Sequence, residues 1–248
     1  MAIYDVRSIS QVGTSEPFEL QISRGQIPGH SFVHILGEVP AMSVNEDGTI
    51  WDVNDTNYPW SAFDTAGTLT VDRASTSDAD KNVTLSGLDA DYNSLTETVT
   101  LTNATGNATT NSFKRLFSAR MNGTSTNVGA ITIKKGATVV GQINAAIGQT
   151  LMSIYTVPAG YTAYITQGVM TVRDGADATG TFFVRLLGDR FTIGHRFEVA
   201  SSEYIYSFTC PFKAPEKTDI DVRAAVRSNN ALITAAYDMI LIKEQGPL

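Results

Sequence analysis

Three histidines, His30, His34 and His195, and one cysteine, Cys210, are the side chains best suited to bind a metal or attack a substrate. His30 and His34 have the spacing of the two zinc ligands of an HExxH helix, but positions 31 and 32 are Ser and Phe, so the general-base glutamate is missing. SFVHILG (31–37) also has the look of a strand, in which residues four apart lie about 13 Å from each other, too far for one metal ion. A single cysteine makes neither an internal disulfide nor a Cys zinc site. Cys210 stands between Phe208 and Phe212 and is expected to be a buried structural thiol.

DADYN (89–93) begins like a calcium loop, D-x-D-x-N, yet Ser94 occupies the glycine position and Thr100 the position that needs Glu. The favoured reading is a hairpin turn in which Asp and Asn side chains cap backbone groups. NEDG (45–48) and DVNDTN (52–57) are acidic turns that could also offer oxygens to a weak structural Ca²⁺. No G-x-S-x-G, P-loop or G-x-G-x-x-G is present. Carboxylates are plentiful, so residue type alone leaves room for a glycosidase. Trp51, Tyr58 and Trp60 near Asp52 and Asp55 could stack on a sugar, although such a cluster is more often core edge or subunit contact. No catalytic, cofactor-binding or metal residue is singled out, and no cofactor is expected.

The elements around these residues read as β. Residues 1–28 form an expected extended N-terminal arm, which at full extension reaches at most about 90–100 Å. Within it FELQIS (18–23) alternates Phe18, Leu20 and Ile22 with polar residues, the period of a strand with one side needing cover. Strand signals then follow closely: GTIWDV (48–53), GTLTVD (67–72), NVTLSG (82–87), LTETVTLT (95–102), SFKRLFSARM (112–121) and AITIKKG (130–136). A second series starts near Gly148 and runs through TLMSIYTVP (150–158) to ALITAAYDMILIKE (231–244). In it, Ile220, Val222, Ala224 and Val226 face one way and Asp219, Asp221, Arg223, Ala225 and Arg227 the other. The expected fold is all-β: two antiparallel β-sandwich or jelly-roll-like modules, 29–147 and 148–248, behind the arm of residues 1–28.

Composition agrees. The chain has 248 residues, of which 30 are Thr and only 17% charged, favouring β structure over helix. No apolar run is long enough for a transmembrane helix, and the N-terminus lacks the apolar stretch of a secretory signal, so neither a membrane nor an oxidising compartment is expected. A net charge of −7 argues against nucleic-acid binding. The charge is uneven: residues 38–97 hold 12 acids and two bases, while 98–173 hold no acid and six bases. These signs either mix on folding or make two faces that meet across subunits.

SRGQIPGHSFVHILGEVPAM (23–42), TIWDV (49–53), LSGLDADYNSLTETVTLT (85–102), TTNSFKRLF (109–117) and GQTLMSIYTVPAGYTAYIT (148–166) together resemble a family of virion structural proteins of tailed bacteriophages, common in marine and environmental phages. The resemblance covers most of residues 18–170; beyond about 171 it is only β-richness. It implies a non-enzymatic virion component, made in the host bacterial cytoplasm. The leading expectation is a protein decorating or cementing the capsid as a homo-oligomer, a trimer among the options. Its partners would be itself, the major capsid protein or tail proteins. The alternative is a tail component: a fibre, an adaptor-docked protein or a receptor-binding module. A third and weaker class is a virion-borne carbohydrate-active enzyme. Expected interface residues are Phe18, Leu20 and Ile22 on the arm, and Lys114, Arg115 and Arg120 in the acid-free stretch.

Overall fold

The computed structural model describes residues 16–244, apart from positions 125, 174, 201 and 229. In chain order come α1 (Phe18–Ser23), β1 (His30–Met42), β2 (Asp47–Thr49), β3 (Thr70–Arg73), β4 (Asn82–Leu88), β5 (Ser94–Thr100), β6 (Asn107–Ala108), β7 (Arg115–Met121), β8 (Ile131–Lys135) and β9 (Thr138–Ile143). They are followed by β10 (Ile154–Thr156), β11 (Tyr161–Val172), β12 (Asp177–Arg185), β13 (Thr192–Ala200), β14 (Glu203–Ala214), β15 (Asp219–Val226) and β16 (Ala231–Lys243). Two short 3₁₀ turns, Trp60–Phe63 and Thr76–Asp78, lie in the connections. The fold is all-β and sandwich-like, with antiparallel sheets throughout.

Four sheets enclose two cores. One pair has the orders β1-β16-β11-β14 and β10-β15-β12-β13, with β2 also on β15; the other has β6-β3-β8-β9 and β5-β4-β7. The first pair buries Val39, Met42, Ile50, Tyr155, Ile165, Met170, Ile220, Val226, Ile233 and Met239 among others. The second buries Trp51, Phe63, Leu69, Leu85, Phe113, Leu116, Ile133, Met152 and Ile154. The chain thus leaves one core between Ile50 and Trp51 and returns between Ile154 and Tyr155. A Trp51–Met152 bridge holds the two crossings together.

The sequence division assigned His30–Met42 to the first module, but β1 pairs along its length with β16, from His30 opposite Ile242 to Met42 opposite Ala231. Alternation identifies a strand without naming its partner, and here the partner is about two hundred residues away. The inserted sandwich, 51–154, is the contiguous one.

FELQIS is a helix, not a strand. Pro17 precedes it with φ suited to a first turn, Glu19 lies in that first turn, and Arg24 N–H closes the end on Leu20. With helical spacing Phe18 and Ile22 share a side, Ile22 is buried, and Phe18 meets the His30 ring edge-on. Six residues are too few for period alone to separate helix from strand.

Candidate functional site

On the face of β15 that alternation marks as polar, Asp219, Asp221 and Ala225 are buried and Arg223 partly so; only Arg227, past the strand's end, is exposed. This face meets the inserted sandwich, and the charges there form a buried network. Asp219 accepts from Arg115 Nε and Nη2 at 2.8 and 3.0 Å, from Arg185 Nε and Nη2 at 2.9 and 2.6 Å, and from Thr156 Oγ1 at 2.6 Å. Asp221 accepts from Thr49 Oγ1 at 2.9 Å, Trp60 Nε1 at 3.0 Å and Arg223 Nε at 2.9 Å. The guanidiniums stack on rings: Arg115 and Arg185 on Trp60, Arg185 and Arg223 on Phe191, and Arg223 also on Phe183.

Burial works against the Arg115 charge, but the Asp219 carboxylate outweighs it and holds the pKa above its ordinary value. Burial pushes the Asp221 carboxyl up, against Arg223, Trp60 and Thr49. Both oxygens of each carboxylate are engaged. The arrangement therefore staples two sandwiches rather than presenting a general acid or base. A cleft of about 330 Å³ opens beside it, lined by Lys114, Arg185, Asp189 and Tyr92.

A second cluster lies where β13 and β14, the edge strands of two facing sheets, come together. Phe197 stacks on Tyr204 at 4.3 Å, His195 on Tyr206 at 4.5 Å, and Phe208 meets Tyr206 edge-on at 4.7 Å. His195 Nε2 lies 3.2 Å from the Tyr204 hydroxyl. These rings close the open end of the larger core and line a small apolar cavity with Ile165 and Tyr237.

A third feature is a surface. The side of the β1-β16-β11-β14 sheet that faces away from the core has no layer over it among the described residues. Phe32, Leu36 and Ile205 on that side are 44%, 40% and 56% exposed. Phe18 and Leu20 of α1, which packs on β1, are exposed as well.

The six expected interface residues do not form one site. Phe18 and Leu20 are exposed, but on a helix, and Ile22 is 3% exposed, its side chain already buried within the chain. Arg115 is likewise buried in the junction rather than offered to a partner. Lys114 donates to the Asp64 carbonyl. Arg120 is exposed at the end of β7, beside His34, Leu36 and Gln149. The uneven charges mix only in part: Lys134 pairs with Asp72 at 2.8 Å across the two stretches, Arg115 pairs with Asp219 outside the acidic one, and Glu46, Asp47, Asp64, Asp80 and Asp91 are exposed.

Trp51, Tyr58 and Trp60 are buried, with ring centroids 5.2 and 5.0 Å apart, and form core at the junction instead of a sugar platform. In 89–93, Asp89 Oδ1 accepts from the backbone N–H of Asp91 and of Asn93, each at 2.9 Å, and Tyr92 takes φ +66°. That is a capped hairpin turn between β4 and β5. His30 and His34 lie on β1, where His34 Nδ1 is 2.6 Å from Asp238 Oδ1. Among the described residues no cluster of three metal-ligating side chains occurs.

Cys210 is exposed, contrary to expectation. Its strand is a sheet edge, and residues 208–211 bulge out between the Ser207–Gln167 and Phe212–Ile165 pairs. Sequence reasoning also missed Asp219, Asp221, Arg185 and Arg223 as a site. The available signal was the D-x-D-x-R run on an otherwise apolar strand.

No protein-family model matches the chain, and no curated protein matches it. Among solved structures, it is similar to the infectious bursal disease virus Gt strain at 10% identity, over 93% of this chain and 83% of that one, with a TM-score of 0.18. The crystal structure of the VP2 subviral particle of the same virus gives 10% identity, 92% and 77% coverage, and a TM-score of 0.23. Superposition this loose carries no argument about this chain.

Proposed function

We propose that this chain is a structural subunit of a virus particle that works by packing against copies of itself and its neighbours. The observation that supports this best is the uncovered apolar face of the β1-β16-β11-β14 sheet. Soluble monomers scatter single apolar residues over their surface but rarely align them on one side of a sheet. The resemblance of residues 18–170 to virion structural proteins of tailed phages points the same way. On that basis the chain decorates or cements a phage head. A place in the tail is the alternative, and the buried, fully engaged Asp219 and Asp221 favour a non-enzymatic role in either. Locating the chain in a density map of the particle tests the proposal. Many copies spread over the head surface would support decoration, a single ring of copies would move it to the tail, and absence from purified particles would refute the virion role.

A further inference from the structure

The register of the sheet fixes which residues stand side by side on its uncovered face. Five cross-strand rows follow from the pairing. They are His30–Ile242–Thr162; Phe32–Ile240–Tyr164–Lys213; His34–Asp238–Gln167–Ser207; Leu36–Ala236–Val169–Ile205; and Glu38–Thr234–Thr171–Glu203. The third row is polar and carries the His34–Asp238 pair. The rows on either side of it are mainly apolar. One outermost row is acidic, with Glu38 and Glu203. The other end is mixed: His30 stands in its outermost row, Lys213 one row further in, and Glu244 beyond it accepts from Thr162. The pattern is close to a palindrome in polarity, a polar middle row between two mainly apolar ones, with Glu38 and Glu203 at one end and His30 and Lys213 towards the other.

We propose that this face packs on the same face of a second copy, about a two-fold axis that runs across the strands along the His34–Asp238–Gln167–Ser207 row. Such an axis reverses strand direction and leaves each strand opposite its own counterpart. The Phe32–Ile240–Tyr164 row of one copy then covers the Leu36–Ala236–Val169–Ile205 row of the other, twice over. The polar row meets itself, each Asp238 facing its counterpart with His34 paired beside it, while Glu38 of one copy comes opposite His30 of the other and Glu203 falls one row from the other copy's Lys213. An axis along the strands would instead set Glu38 of each copy against Glu203 of the other, two acid–acid contacts that like-charge repulsion disfavours. Five rows about 7 Å apart on strands about 4.8 Å apart span roughly 400–500 Å² of sheet per copy, and Ile240 and Ala236 in its middle are already only 9% exposed, so the pair lies at the low end of interface sizes, that of weak, reversible association. The exposed Phe18 and Leu20 beside β1 extend it.

The inference rests on the assembly reading above but is tested apart from it, in solution. The full chain carrying Cys210→Ser, to remove the exposed thiol, is examined by sedimentation velocity over a range of concentrations. A reversible dimer is expected. Leu36→Asp and Ile205→Asp, both at exposed positions, should each weaken it at least tenfold with circular dichroism unchanged. Lys213→Glu and Glu203→Lys should each weaken it, and their combination should restore it, a result that mere damage to folding would not give. In the same background a cysteine at Gln167, on the axis, should be joined to its counterpart by a short bismaleimide. One at Glu203, far from its own copy, should not. A chain that stays monomeric, a dimer indifferent to Leu36→Asp and Ile205→Asp, or cross-linking at Glu203 but not at Gln167 would each overturn the two-fold packing. The virion role would still stand or fall on whether the chain is found in particles.

Discussion

Asp219 is shared by two arginines on different elements, Arg115 from the inserted sandwich and Arg185 from β12. Removing one partner of a buried pair leaves the other charge poorly compensated, at a cost of about 3–5 kcal/mol. Because Arg185 stays in place, Arg115→Met should fall at the lower end, about 3 kcal/mol, as measured by urea denaturation. Arg115→Met with Asp219→Leu should recover part of that loss. Asp52 behaves differently. Its Oδ2 accepts from Leu151 N–H at 3.0 Å, while its buried Oδ1 has no hydrogen-bond partner among the described residues. Burial, against the Leu151 hydrogen bond and with some help from Glu38, pushes its pKa from 3.8 up to about 7. The folded chain therefore holds a proton that the unfolded chain gives up near pH 4. Stability should fall as pH rises from about 4 to 7 and level off above that. Asp52→Asn should lessen this slope and raise the melting temperature at pH 8, leaving the contribution of Asp221, which burial also pushes up. Asp78 and Glu97 do not disturb that window: although burial pushes them up, hydrogen bonds from backbone N–H groups hold them below the ordinary range, so their contribution is lost only at more acid pH.

At the scale of elements, α1 is held by one buried side chain, Ile22, and leaves Phe18 and Leu20 exposed. Deleting residues 1–24 should cost about 1.5–3 kcal/mol, the worth of one buried isoleucine, and leave the β circular dichroism intact. The truncated chain should also associate less, since it loses the apolar margin beside β1. Normal association after truncation would make the segment dispensable. Elements governed by local chemistry were legible in the sequence. The β4–β5 hairpin follows from its turn residues and the flanking alternation, and most strands between residues 30 and 244 announce themselves in the same way. FELQIS did not, because six residues satisfy both periods. Cys210 did not either: its aromatic neighbours suggest burial, but whether a strand is central or at an edge depends on distant pairing. The polar side of β15 was read correctly as a side, yet what lies over it depends on how a hundred-residue insertion docks.

For the whole molecule, the uneven charge along the sequence becomes internal only in part, and Glu46, Asp47, Asp64, Asp80 and Asp91 stay exposed. Of the pairs Lys81–Asp78, Lys134–Asp72 and Arg115–Asp219, only Lys134–Asp72 joins the acidic stretch to the acid-free one, while Arg115, the central base of the latter, is buried. Association through apolar rows with charged ends should weaken only a few-fold between low salt and about 0.5 M, where the screening length is near 4 Å. A collapse of assembly by several orders of magnitude, seen by light scattering, would restore the charges to the leading role. The order of the strands carries one more consequence. β16 follows every other described strand in the chain, yet it occupies the centre of its sheet, between β1 and β11. The inserted sandwich can complete itself from contiguous chain while synthesis continues, whereas the uncovered face does not exist until β16 arrives. The two-fold packing therefore requires β16 to be in place: a nascent chain that has made only β1 and β11 lacks the central strand that joins them and cannot yet present that face.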